Sequence, residues 1–271
     1  MKMFLTCVAV LGWVAAVPAP AFEISEELRL SIQRDVEAIE KDGAQMGEVM
    51  AALREVGASY LPELVAPIDV EKYQTPERQR LMAGVYLMDL TYAATFDQRE
   101  PTARYGEAVY QLLDRLGFPQ PDLERRYREA LEQIDMPGGD ARLRELAKEP
   151  SRDPVWQEML RTGEGVDLVA DELYGFLIEG MFQTAELCAI SNYDPGFMVY
   201  VAYMRDSFQA YKQLLFRLGD NPELATTMDR QDRFNFLATM LVILGDLPDI
   251  GPEQLQSIRP VITKARQEIV Q

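Results

Sequence analysis

Histidine is absent from the 271-residue sequence, and that absence removes more chemistry than any motif supplies. Without imidazole there is no Ser-His-Asp or Cys-His nucleophile, no helical HExxH zinc site and no haem held by histidine. Cysteine is scarce: Cys7 and Cys188 are the only two. No CxxC pair exists for thiol exchange or a metal ribbon. Neither GxxxxGK[ST] nor GxGxxG occurs, so the familiar phosphate cradles are missing. No catalytic motif, metal-ligand set or cofactor motif survives this elimination. Positive charge is in deficit as well, with 27 Lys and Arg against 44 Asp and Glu and a net charge of −17. Such a surface repels nucleic acid and anionic lipid, which removes nucleic acid from the expected partners, and it suits a basic partner or a cation.

Long apolar runs are few, and the longest lies at the start. Met1-Lys2 is a short positive opening, Met3 to Val17 is almost wholly apolar, and Ala19-Pro20-Ala21 has the small-x-small pattern of a signal-peptidase site. Residues 1–21 are therefore expected to be a cleaved signal peptide, with the mature chain in the periplasm and Cys188 its one thiol. The opening run is shorter than the ~20 residues that cross a bilayer. The best later run, Phe234 to Leu247, is shorter still and is interrupted by Asp246 and Pro248. No transmembrane segment is expected.

What is abundant is helical periodicity. Ser25, Glu26 and Glu27 followed by Leu28, Ile32, Val36 and Ile39 predict a capped amphipathic helix. It is expected to pause at Gly43 and resume to Gly57, and Tyr60 to Gln74, with Pro62 and Pro67, predicts a connector. Thr75-Pro76 then opens the stretch around which the chain is organised, as N-cap and first helical residue. Leu81, Val85, Met88, Tyr92 and Phe96 form one stripe of this helix; Ala83, Leu87, Leu90 and Ala94 extend it round most of the circumference. A helix apolar on nearly all sides belongs at the centre of a fold. Asp97 to Pro101 predicts a turn, and the returning helix ends at Leu116-Gly117.

A similar hairpin spans Val166 to Gly219, turning at Ser191 to Gly196 and ending in a capping Gly219. Gln111 to Gly117 (QLLDRLG) matches Gln213 to Gly219 (QLLFRLG), and Gly84-Val85-Tyr86 stands opposite Gly180-Met181-Phe182. A duplication and a chance likeness between two amphipathic helices both account for this. Between the hairpins, Asp122 to Lys148 is dense in charge of both signs, Met136 to Asp140 breaks a helix, and Asp153-Pro154 starts a short one carrying Trp156. Asn221-Pro222, Phe234 to Leu244 and Gly251-Pro252 mark three further helices. The expected fold is all-α: a helical bundle built on two antiparallel hairpins, with a pseudo-duplication as one account of their likeness. It forms a single domain over residues 22–271, with halves near 22–120 and 150–271 and a charged helical connector at 121–149.

Gly84-Val85-Tyr86-Leu87-Met88-Asp89-Leu90-Thr91-Tyr92, with Phe96 and Gln98 beyond it, resembles a group of uncharacterised exported all-helical proteins of Gram-negative bacteria that carry a G-V-Y-x-x-D-L-x-Y core helix. Gly175 to Phe182 is similar to the group's second motif, with Leu177 where tryptophan is usual. The resemblance covers the two hairpins. It implies an all-helical periplasmic domain and no particular activity, and it nominates Asp89, Tyr92, Gln98 and Glu179 as motif positions.

The residues themselves offer three kinds of site. Asp89 lies within an apolar helix, while Glu179 and Glu186 lie two turns apart on one face of another. Such acids either work as a glycosidase-like pair or are satisfied by a neighbouring backbone group, by Arg104 or Arg205, or by a tyrosine hydroxyl. Methionines such as Met46, Met50 and Met88 fill a core or, bunched, would hold Cu(I); their scatter over separate helices favours the core. Tyrosines and phenylalanines concentrated in the hairpins, Tyr86 and Phe182 among them, would line an amphipathic pocket or simply pack. The expected function is non-enzymatic binding of a small or amphipathic ligand, or of a protein partner, in a groove between the hairpins. Its candidate residues are Tyr86, Asp89, Tyr92, Gln98, Glu179, Phe182 and Glu186. The alternative is a carboxylate-dependent hydrolase or lyase using Asp89 with Glu179 or Glu186.

Overall fold

The computed structural model describes residues 23–55, 58–118, 121–132, 158–221, 224, 228–245 and 250–271. The signal-peptide expectation for residues 1–21, the break at Met136 to Asp140, and Trp156 lie outside the described residues. Among those described there are eight α-helices and no strand: α1 (Glu26–Glu55), α2 (Pro76–Thr95), α3 (Arg99–Arg115), α4 (Pro121–Glu132), α5 (Gly163–Ile190), α6 (Pro195–Gly219), α7 (Met228–Leu244) and α8 (Pro252–Val270). Two single-turn 3-10 helices, Pro62–Leu64 and Val70–Lys72, punctuate the connector between α1 and α2.

Helix starts follow the sequence signals. The Ser25 hydroxyl accepts the Leu28 N–H at 3.3 Å, Thr75 accepts Arg78 N–H at 3.3 Å with Pro76 behind it, and Asp194 accepts Gly196 N–H at 2.8 Å. Helix ends hold two departures. Gly43 does not interrupt α1, which runs unbroken from Glu26 to Glu55; a mid-helix glycine weakens a helix by about 1 kcal/mol without breaking it. Gly117 is a left-handed cap at φ 80°, yet Gly219 is simply the last helical residue, followed by Asp220 in right-handed geometry. The shared QLL-x-RLG wording therefore ends two helices in different ways.

The hairpin turns are alike where the wording differs. At the end of α2, Gln98 N–H reaches Ala93 C=O at 2.9 Å and Asp97 N–H reaches Ala94 C=O at 3.2 Å. At the end of α5, Tyr193 N–H reaches Cys188 C=O at 2.7 Å and Asn192 N–H reaches Ala189 C=O at 3.1 Å. Both are Schellman endings, with Asp97 (φ 55°) and Asn192 (φ 53°) in the left-handed position that glycine usually takes.

Packing places the hairpins side by side. α2 lies on α3 and α5, α5 on α6 and α8, and α1 lies along α6, while α7 bridges α6 and α8. Each hairpin is antiparallel, but α2 and α5 run in the same direction: Arg80 meets Asp171, Met88 lies against Gly180, and Asp89 meets Gln183. Two glycines set their separation. A Cβ on Gly84 would run into the Glu172 carbonyl and come within 2.8 Å of Phe176 N, and one on Gly175 would run into the Leu81 carbonyl. Backbone thus lies directly on backbone, and one contiguous apolar core draws residues from all eight helices.

Candidate functional site

Tyr86, Asp89 and Tyr92 recur at every third residue of α2 and so share one face. Part of that face meets α5, where Gln183 donates to Asp89, and α3, where the Tyr105 ring lies 5.9 Å from that of Tyr86. The rest meets the connector, residues 58–75, which crosses it as a strap. Leu61 N–H donates to the Tyr92 hydroxyl at 3.1 Å, Ala66 N–H to Asp89 Oδ2 at 2.9 Å, and Asp69 N–H to the Tyr86 hydroxyl at 3.1 Å. Tyr86 in turn donates to Pro67 C=O at 3.2 Å, and Tyr105 of α3 donates to Ala66 C=O at 2.6 Å. Strap groups with no ladder to join are satisfied by side chains of the hairpins, as buried backbone requires. Leu64, Ala66, Val70 and Tyr73 hold the strap from within the core.

Beneath the strap the two hairpins bring their acids together. Asp89 and Glu179 are both 0 % exposed and lie within hydrogen-bonding reach of each other. Gln183, one turn after Glu179 and also buried, donates from Nε2 to Asp89 Oδ1 at 2.8 Å and, more weakly, to Leu64 C=O at 3.4 Å. Its Oε1 is buried without a hydrogen-bond partner. Arg266 reaches in from α8 and grips Glu179 with both ends of its fork, at 2.7 and 2.8 Å. Its guanidinium sits 4.2 Å from the centre of the Phe182 ring.

Electrostatics then divide the pair. Burial, followed by the charge of Glu179, pushes the Asp89 carboxyl well above the ordinary carboxylate range, with the Ala66 N–H and Arg266 opposing. Burial also raises Glu179, but Arg266 opposes it through hydrogen bonds and charge. These influences favour the proton on Asp89 and the charge on Glu179, beside Arg266. Burial dominates in the surrounding phenols as well and raises Tyr60, Tyr86, Tyr105 and, to about 12, Tyr92.

Of the residues singled out in the sequence, Tyr86, Asp89, Tyr92, Glu179 and Phe182 converge on this cluster. Gln98 stays in the hairpin turn, where its side chain donates to Phe96 C=O at 2.8 Å. Glu186 pairs instead with Arg259 of α8, at 2.6 and 2.7 Å. Neither Arg104 nor Arg205 is the partner of Asp89; Arg205 bonds Asp206 at 2.7 Å. Sequence reasoning passed over Gln183 and Arg266, counted Tyr105 only among the hairpin aromatics, and read the strap only as a connector. Gln183 carried a signal, being a polar residue four places after Glu179 in an otherwise apolar helix. Arg266 carried none, since it reads as an ordinary arginine of an amphipathic helix.

A glycosidase pair needs its carboxyls ~5–10 Å apart, with sugar or water between them, whereas Asp89 and Glu179 lie within hydrogen-bonding reach of each other. Among the described residues no group of three or more His, Cys, Asp or Glu is placed to hold a metal ion, and no helix is long and apolar enough to cross a membrane. Comparison with protein families, with curated proteins and with solved structures gives no match for this chain.

Proposed function

We propose that this chain is an exported, non-enzymatic binding protein that takes an amphipathic ligand or an extended segment of a protein partner in the groove between its hairpins. The observation that carries this reading is the strap. Tyr86, Asp89, Tyr92, Tyr105 and Gln183, from α2, α3 and α5, all bond to the backbone of one extended segment. A surface that reads polypeptide N–H and C=O groups through tyrosines and a carboxyl is suited to amphipathic or peptide-like guests. Here the chain's own connector fills it. Contact between Asp89 and Glu179 favours binding over hydrolysis, because it leaves no space for an attacking water. Export to the periplasm rests on the signal-peptide pattern of residues 1–21, and the acidic charge of −17 favours partners that are neutral or basic.

Native mass spectrometry tests the reading. Protein purified from its own cellular compartment is compared with a Tyr86→Phe, Tyr92→Phe variant, which keeps the rings but loses three of the bonds that fasten the strap. A retained ligand or partner mass, more abundant on the variant, is the expected result. A bare chain mass for both proteins overturns it.

A further inference from the structure

The polar cluster is one positive charge short. Asp89 and Glu179 can carry two negative charges, and Arg266 supplies one positive charge. Around Asp89, Tyr86 and Tyr92 face it from its own helix, Tyr105 from α3, Tyr60 from the strap, Glu179 from α5 and Arg266 from α8. The four tyrosines are neutral phenols, so none can make up the deficit. Among the described residues no group of three or more His, Cys, Asp or Glu is placed to hold a metal ion here. A proton completes the cluster.

We infer that the single proton held between Asp89 and Glu179 is the latch of the strap: its loss to solvent releases residues 58–75 from α2 and opens the groove. The regulatory meaning of this latch rests on the binding reading above; the latch itself rests on the geometry. Ionisation of Asp89 would strengthen its bonds from Ala66 N–H and Gln183, which argues for a tighter strap. It would also place a second anion beside Glu179 in a site closed to bulk solvent, and that penalty is the larger. Relief comes only by hydrating Asp89. Helices α3, α5 and α8 close the other sides through long hydrogen-bonded ladders, whereas the strap is held by isolated side-chain bonds and two single turns. Water therefore enters on the strap side, where the unpartnered Gln183 Oε1 is ready to receive it.

Limited proteolysis within the strap, read by mass spectrometry between about pH 6 and about pH 9, compares the wild type with Asp89→Asn. Asparagine keeps an acceptor for Ala66 N–H and a donor for Glu179 but has no proton to lose. The ratio of wild-type to variant cleavage cancels the protease's own pH response. It should stay near one at the acid end and climb toward about tenfold per pH unit once the proton leaves; a flat ratio overturns the latch. Should Asp89→Asn fail to fold, hydrogen exchange in the wild type carries the test. Protection of residues 58–75 relative to α6 should fall with rising pH after correction for intrinsic rates, and parallel behaviour overturns the latch. Strap opening in a protein that retains no ligand mass would sink the binding reading alone, and ligand retention insensitive to pH would sink the latch alone.

Discussion

Gly84 and Gly175 are irreplaceable for a reason that Gly180 does not share. At the first two, an added Cβ meets helix backbone, which cannot swing aside; at Gly180 it meets only the ends of Met204 and Met88, at 3.3 and 3.4 Å. Gly84→Ala and Gly175→Ala should each remove about 3 kcal/mol or more in chemical denaturation, by forcing α2 and α5 apart. Gly180→Ala should change stability by less than about 1 kcal/mol, because flexible methionines yield and alanine is the better helix former. Comparable losses at all three positions would contradict this account of the helix contact. The acids make a second prediction. Asp89 holds its proton more tightly in the folded than in the unfolded chain, so between the ordinary carboxylate value and its raised value the native state binds more protons. Stability must fall as pH rises through that window and level off above it. Denaturation midpoints at a series of pH values should show this descent, and Asp89→Asn should flatten it. Glu179→Gln should instead destabilise by about 3–5 kcal/mol over the neutral range, since Arg266 would be left buried without its anion. The sequence made Asp89 and Glu179 visible as acids in apolar helices. It could not pair them with Arg266, which lies in the last helix and is joined to them only by folding.

Helices and turns obeyed local chemistry closely, and their departures have local causes. Asn192 and Tyr193 both have positive φ, at 53° and 58°. Asparagine tolerates the left-handed region because its short polar side chain can hydrogen-bond to local backbone there, which alanine's methyl cannot. Asn192→Ala should therefore lower stability by about 1 kcal/mol, and Asn192→Gly should be neutral or mildly stabilising, as read from thermal melts. The strap gives the matching prediction for an irregular segment. Tyr86→Phe and Tyr92→Phe should each destabilise by about 1 kcal/mol and raise hydrogen exchange at Asp69 and Leu61 respectively, the amides whose acceptors are removed. Exchange unchanged at both amides would mean that apolar anchors alone hold the strap. The prolines and broken periodicity of this segment marked it as a connector, yet gave no hint that it is received by a buried face of α2. A backbone segment displays its peptide groups whatever its sequence, so its binding partners are not written in its side chains.

Across the molecule the first and last described helices, α1 and α8, are tied to the middle of the chain. Glu268, Ile269 and Val270 at the end of α8 offer their carbonyls to Arg78, at 2.7 and 2.9 Å, and to Lys72 and Tyr73, at 2.8 and 3.1 Å. Arg217 of α6 holds Asp35 of α1 at 2.7 Å, and Arg54 spans from α1 to the Thr95 carbonyl at 3.0 Å. These ties, with a core that α1 and α8 both enter, predict one cooperative unfolding transition, with calorimetric and van't Hoff enthalpies equal. Two resolved transitions would mean that the halves near 22–120 and 150–271 fold separately.

Composition and periodicity by themselves determined the all-helical character, the starts of α1, α2 and α8, the turns of the two hairpins and the motif chemistries the sequence lacks, but not the start of α7 at Met228 or the passage of α1 through Gly43. Those properties depend on residue type and on neighbours within a few positions, where φ/ψ preference, capping and apolar spacing act. Tertiary structure alone decided that α2 and α5 run parallel at glycine contact, that Gln98 and Glu186 stay apart from Asp89, and that Arg266 meets Glu179 under the strap. Those outcomes turn on burial and on charges brought together from distant positions, and a charge has no partner until the chain has closed around it.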